Sequence, residues 1–399
     1  FAWRGPASVV DNDTRRLVLI GDGSGCTFIN DTRAAPGNTP LITFDGGETD
    51  PHLRLYLFGM RVQRPAQNRL GWGLYFKNIA ILAIDQVDSQ WFDNGAVFHD
   101  VIQVKITHSQ LGANNMGLIA SKINWTCPNV FYLDHVMFGG NAKGAAQITD
   151  GANFKFDTCT FEATGGDRTV DNVISYTGAP EEGGLGLYIV NGYFENNNVL
   201  ADVNIQSNSA AKANHIIEGN SFQRTSPVRY CRMHINVSAN NSTGVHRVHL
   251  RGNKFKFAGG YAHNAGDASV VAQTIASEVI DEGNIYEPAQ PPQYAATVAR
   301  GYGNSIVAAA KVSAGASPGI VSGYNAATVT KSGTGVYVIN FKKAITSGTT
   351  IPVATVEGVP GRCIISGYNT TSVTVTVQDS AGNASDAVAF NLIVVGINL

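Results

Sequence analysis

Apolar and polar residues alternate along most of this chain in short phrases that recur. Four of them are FKFDTCTFEATGG (154–166), LYIVNGYFENNN (187–198), HIIEGNSFQRTS (215–226) and VHLRGNKFKFAGG (248–260). Each carries an apolar residue, then a polar one, often Asn or Gly two places before a Phe, then a second polar residue. Alternation such as Phe154-x-Phe156 and Val248-x-Leu250 predicts strands, and few segments show the 3.6-residue period of a helix. The residues that close the phrases read as Val62, Ile81, Ile106, Phe138, Phe161, Phe194, Phe222, Phe255 and Ile285, spaced 19 to 33 residues apart. A period of that size with variable inserts predicts a solenoid of stacked coils.

Coils of a β-solenoid repeat about every 4.8 Å, so equivalent residues stack in columns. Leu133, Phe156, Ile189, Ile217 and Leu250 are expected to share one column. Asn220 and Asn253 are expected to share another, bonding to backbone groups of the coils above and below. Both columns read as the frame of the stack and not as a ligand site.

The pattern changes near residue 288. Pro288, Pro291 and Pro292 mark 288–305 as a linker or as a cap on the open sheet edge of the last coil. Beyond it, TGVYVINFKKAI, IPVATVEGV, TSVTVTVQDSAG and AVAFNLIVVGINL read as strands between Gly, Ser and Asn turns. The expectation is an all-β chain: a parallel β-helix over 1–287, the Pro-rich segment, and a small β-sandwich or jelly roll over 306–399.

Composition removes several classes. The net charge of -2 offers no bulk attraction for nucleic acid or an anionic membrane, and no apolar run approaches 18 residues. The 44 Gly suit many tight turns. The five Cys (26, 127, 159, 231 and 363) are scattered and never in CxxC form, which predicts reduced thiols, no disulfide framework and no structural zinc. Gly21, Gly23 and Gly25 lack the GK[ST] of a phosphate loop, and DGGETDPH (45–52) lacks EF-hand spacing, so no metal or cofactor is expected. Residue 1 is Phe with no signal peptide after it, which reads as a chain trimmed at its N-terminus.

The coil phrase resembles the right-handed parallel β-helix of pectate-lyase-like proteins. The run GVYVINFKKAI…IPVATVEG…VTVTVQDSAGNASDAVAFNLIVVG resembles the terminal sandwich of bacteriophage tailspikes. The combination is similar to tailspike capsule depolymerases, including those of Acinetobacter phages. The resemblance implies a homotrimer of the virion that folds in the bacterial cytosol without disulfides and joins the phage tail through an N-terminal anchor. It implies binding and cleavage of a capsular polysaccharide or O-antigen, and it carries no catalytic motif across.

The site is therefore read from columns. The residue after the closing Phe should face solvent, giving Gly139, Glu162, Glu195, Gln223 and Lys256. Glu162 and Glu195 would sit on adjacent coils, close enough that repulsion should raise one pKa. A second column reads Asp134, Asp157, Val190, Glu218, Arg251 and Asp281. The four carboxylates Glu162, Glu195, Asp134 and Asp157 would form one acidic strip beside Tyr188 and Tyr193. A glycoside hydrolase needs such a pair, one carboxyl to protonate the leaving oxygen and one to attack or activate water. A solvated face is the plain alternative. Arg168 in GGDRTVDN (165–172) would bind an acidic sugar or sit in a turn held by Asp. His99-Asp100 and Asp134-His135 are not expected to form dyads, because neighbours on a strand face opposite ways. HRVHLRGNKFKF (246–257) puts His249 and Arg251 on a basic outer strip. Lys254, His249 and Arg251 would serve the alternative of a polysaccharide lyase, and a third reading is a receptor-binding spike without turnover. In a trimer the site would also be able to lie between subunits.

Overall fold

The computed structural model describes residues 7–10, 16–25, 27–47, 53–65, 67–124, 126–177, 185–207, 213–225, 230–239, 246–257, 268–272, 277–286, 293–294, 299–300, 306–313, 315, 317–342, 345, 350–357, 360–386 and 389–396. Two compact units divide the chain, Phe1–Arg300 and Gly301–Leu399.

The first unit is a parallel β-helix with three ribbons of strands. One ribbon is an 11-stranded sheet that starts at Ala7–Val10 and ends at Gln293–Tyr294. The other two merge into a 19-stranded sheet, because Leu53–Gln63 and Ile79–Gln90 run through both. The second ribbon includes Gln103–Thr107, Asn129–Asp134, Ala152–Asp157, Leu185–Val190, Ala213–Glu218, His246–Arg251 and Ser277–Glu282. The third includes the short strands Met137–Gly139, Thr160–Glu162, Tyr193–Glu195, Ser221–Arg224, Lys254–Phe257 and Ile285–Tyr286.

Register turns the repeated phrase into columns. Leu133, Phe156, Ile189, Ile217 and Leu250 pair in succession on the second ribbon, all buried. On the third ribbon Phe138, Phe161, Phe194, Phe222, Phe255 and Tyr286 stack face on face, with centroids 5.2, 4.5, 4.6, 5.0 and 4.8 Å apart. Each buried Phe contributes about 1.5–3 kcal/mol through removal from water, and ring pairing adds to it.

Between the second and third ribbons every coil turns at one left-handed residue. His108, His135, Thr158, Asn191, Gly219, Gly252 and Gly283 occupy this corner with φ between 45° and 66°. Gly takes that conformation at little cost and Asn at modest cost. In the later coils the corner Gly precedes an inward Asn. Asn253 Oδ1 accepts from the backbone N–H and the amide of Asn220 (both 3.0 Å), and its own amide donates to the Ile217 carbonyl (2.8 Å). Asn284 repeats the arrangement one coil on. The predicted Asn column is therefore a hydrogen-bonded ladder. A second ladder, which sequence reading passed over, stands at the opposite corner: Asn141 Oδ1 accepts from the Asn114 backbone, and Asn197 Oδ1 accepts from the Thr164 backbone (both 3.0 Å). Asn253→Ala is expected to cost about 1–3 kcal/mol, because it strands buried donors and an acceptor. A fall in the denaturation midpoint with unchanged slope would register it.

Some expected positions shift. The closing residue is not Ile81 or Ile106, which lie on the second ribbon, paired with Arg54 and with Leu133. In those coils Ser89 and Leu111 fill the inward place, and Ser89 donates to the Gly95 carbonyl (2.7 Å). Phe255 is followed by Tyr286, with Ile285 paired to Lys254. Asp281 pairs with Leu250, so Glu282 continues the Arg251 column. Of the Pro-rich stretch, 288–292, 295–298 and 301–305 lie outside the described residues. Gln293–Tyr294 and Ala299–Arg300 within it pair as further parallel strands. Residues 48–52 of DGGETDPH also lie outside the described residues.

The second unit is a sandwich of two four-stranded antiparallel sheets. One orders Gly319–Tyr324, Ile306–Ser313, Phe390–Gly396 and Thr350–Val356; the other orders Ala326–Gly333, Val336–Phe341, Ser372–Asp379 and Gly361–Tyr368. Inward residues such as Val312, Tyr337, Ile339, Val375 and Leu392 make its own core.

Candidate functional site

The third ribbon places Glu162 directly against Glu195, in a column running Gly139, Glu162, Glu195, Gln223, Lys256. Phe161 and Phe194 lock into the core, so alternation drives both Glu side chains outward, where they are half-buried. Neighbouring strands lie about 4.8 Å apart, which brings the two carboxyls within reach of one ligand atom. The Glu195 carboxylate is oriented by Tyr193 Oη, which donates to Oε2 (2.6 Å), while Thr225 Oγ1, with one proton to give, lies near both Glu195 Oε1 (3.0 Å) and Asn196 Oδ1 (2.5 Å). Among the described residues none hydrogen-bonds the Glu162 carboxyl. Burial, the hydrogen bond and charge of Glu195, and the charge of Glu162 push the Tyr193 phenol up to about 12, so it remains a donor at neutral pH.

The Asp column forms as read, Asp134 pairing with Asp157, Asp157 with Val190, Val190 with Glu218, and Glu218 with Arg251. It stands on the second ribbon, however, and the left-handed corner separates it from the Glu column. The four carboxylates therefore make two strips on two faces. Asp157 is engaged by Lys155 Nζ (2.9 Å) and Thr158 Oγ1 (3.1 Å). Partial burial pushes its carboxyl up, but those hydrogen bonds and the lysine charge outweigh it and hold it below its usual range. Glu218 faces Arg251 across one coil at 3.7 Å. Tyr188 lies on the same face, with Lys155 Nζ 5.3 Å from its ring centroid.

Asp134 and His135 do meet, contrary to the alternation rule. His135 Nδ1 lies 2.6 Å from Asp134 Oδ1. The reason is the corner: with φ of 53°, His135 leaves extended geometry, and its ring swings back toward the preceding side chain. One coil earlier the corner His108 reaches across to the preceding coil instead, with its Nδ1 3.0 Å from Asp85 Oδ1, and the two imidazoles stack at 5.6 Å. His99 and Asp100 do not pair: His99 Nδ1 meets Tyr75 Oη (3.0 Å), while Asp100 accepts the backbone N–H groups of Ile123 and Asn124.

The remaining candidates have structural surroundings. Asp171 accepts from the backbone of Gly166 and Asp167, holding the 165–172 turn, and Arg168 stacks on Tyr230 at 4.4 Å. His249 pairs in register with Ile216 on the second ribbon, and Lys254 is exposed on the third.

Among the described residues one group of three has donors placed for a metal ion: Asp202, Cys231 and His234, all buried. Asp202 Oδ2 lies 2.7 Å from His234 Nδ1 and 3.3 Å from Cys231 Sγ, and Sγ lies 3.2 Å from Nδ1. Donors around a tetrahedral ion with bonds of about 2.0–2.3 Å stand about 3.3–3.6 Å apart, so these contacts fit hydrogen bonds better. Burial, and next the charge and hydrogen bond of Asp202, push the Cys231 thiol well up. The trio is a polar cluster of the core. The C-x-x-H spacing of CRMH (231–234) was its trace in the sequence.

No protein-family model and no curated protein matches this chain. Among solved structures it is similar to the Dettilon tailspike protein, at 11% identity over 98% of this chain and 86% of that one, with a TM-score of 0.47. It is similar to the tailspike protein of Acinetobacter phage vB_ApiP_P1, at 12% identity over 99% and 79%, with a TM-score of 0.46. It is also similar to the A-module of a mannuronan C-5 epimerase from Azotobacter vinelandii, at 13% identity over 74% and 88%, with a TM-score of 0.43.

Proposed function

We propose that this chain is a phage tailspike that depolymerises a bacterial surface polysaccharide by glycoside hydrolysis, with Glu162 and Glu195 as the working pair. The observation that carries the reading is their register: two outward carboxyls on consecutive coils, one fixed by the Tyr193 hydroxyl. That donor suits Glu195 to the acceptor role, as nucleophile or as base for water. Glu162 then carries the proton for the glycosidic oxygen. The bond from the anomeric carbon to that oxygen breaks as the proton arrives, and Glu195 or the water it activates supplies the new bond. Tyr193, protonated at neutral pH, holds Glu195 in place. The spike acts as a homotrimer in this reading, as the sequence resemblance implies.

One observation favours the second reading, elimination by a lyase. His135 Nδ1 is held by Asp134, and on the next coil Asp157, which pairs with Asp134, binds Lys155 Nζ; an Asp-oriented imidazole suits abstraction of a proton next to a uronate. Incubation with capsular polysaccharide separates the readings. New reducing ends without unsaturated-sugar absorbance support hydrolysis, both together indicate a lyase, and an unchanged polymer indicates a binder.

A further inference from the structure

The outer face of the second ribbon carries a ladder that alternates two side-chain types. Lys105 pairs in register with Tyr132, Tyr132 with Lys155, and Lys155 with Tyr188, one rung per coil. The Lys105 ammonium lies 5.9 Å from the Tyr132 centroid, and the Lys155 ammonium lies 5.0 Å from Tyr132 and 5.3 Å from Tyr188. These contacts hold each lysine against aromatic faces, and Lys105 remains exposed. Like side chains are thus two coils apart, about 9.6 Å, close to the length of two pyranose rings in an extended chain.

We propose that this ladder is a binding track for an anionic glycan, running along the helix axis and taking an acidic sugar at alternate positions. The lysines meet the carboxylates, and the tyrosines carry the apolar faces of the rings between them. Lys155 shares its charge with Asp157, whereas Lys105 makes its ring contact with Tyr132, so Lys105 is the stronger anchor. The inference rests on the glycan reading above and adds the charge and spacing of the ligand; it is independent of how the polymer is cut.

Affinity electrophoresis through gels containing hyaluronan or alginate tests it, each polymer used intact and after reduction of its carboxyls to neutral alcohols. The protein should be retarded by at least one intact polyuronate and by neither reduced form. Lys105→Gln combined with Lys155→Gln should weaken that retardation on the order of tenfold. Tyr132→Ala should weaken it too, while Lys143→Gln, at an exposed lysine of a loop outside the second ribbon, should leave it unchanged. These side chains face outward, and equal melting temperatures would confirm intact folds. The proposal is overturned if neither intact polymer retards the protein, if reduced and intact forms act alike, or if the double variant binds as well as the parent. A protein that cuts capsule yet ignores carboxyl reduction would overturn the track alone. Retardation without new reducing ends on any polymer would remove hydrolysis and leave the track.

Discussion

Glu195→Gln and Glu162→Gln are each expected to lower polysaccharide cleavage by about 10²–10⁴-fold while leaving the fold intact. Gln fills the same volume, and at position 195 its one oxygen can still accept from Tyr193, so the outer wall should hardly move. What disappears is the charge in one variant and the transferable proton in the other. The two losses are distinguishable. An aryl glycoside with a good leaving group needs little protonation, so it should restore turnover to Glu162→Gln and not to Glu195→Gln. Full activity of both variants on polymer would remove the assignment, and reducing-end release measured over time is sufficient to see it.

Phe194→Ala should produce the largest loss of stability. The ring lies between Phe161 and Phe222, at 4.5 and 4.6 Å, and is fully buried. Removing it leaves a cavity between two stacked rings that cannot collapse without shifting whole coils, at a cost of about 3–5 kcal/mol. Each coil of a solenoid touches only its neighbours, so the damage should be local. Amide exchange should rise first in Tyr193–Glu195 and in the strands directly above and below. Val321→Ala is the control: this side chain is 62% exposed on the second unit, and its loss should change stability by less than about 0.5 kcal/mol. A Phe194→Ala effect as small as the control would contradict the stacked-column account.

The same columns show what was legible in the residues. From Phe138 onward every coil places an aromatic ring at one point, so counting from ring to ring recovers the register, and with it the Glu162–Glu195 contact. Earlier coils put Ser89 and Leu111 there, and apolar residues of the second ribbon, Ile81 and Ile106, imitate the missing signal. At the far end Asp281 replaces an apolar residue beneath Leu250, because it accepts from Asn284 and Tyr286 at the last rungs. Pattern counting slips by one residue there. The Asp134–His135 contact was hidden for another reason. Alternation holds only for extended backbone, and a left-handed corner carried by His rather than Gly leaves no mark in the sequence. The two-faced arrangement of the carboxylates follows from that corner as well. Spacing along the chain reports how many residues separate two columns and says nothing of the bend between them.

Crystals of Glu195→Gln soaked with an oligosaccharide from the host capsule give the most direct test of the catalytic assignment. A glycosidic oxygen lying about 2.6–3.2 Å from the Glu162 carboxyl, with the anomeric carbon facing residue 195, is the predicted result. An oligosaccharide whose linkages all lie beyond reach of both side chains, on another ribbon or at a subunit seam, would contradict it.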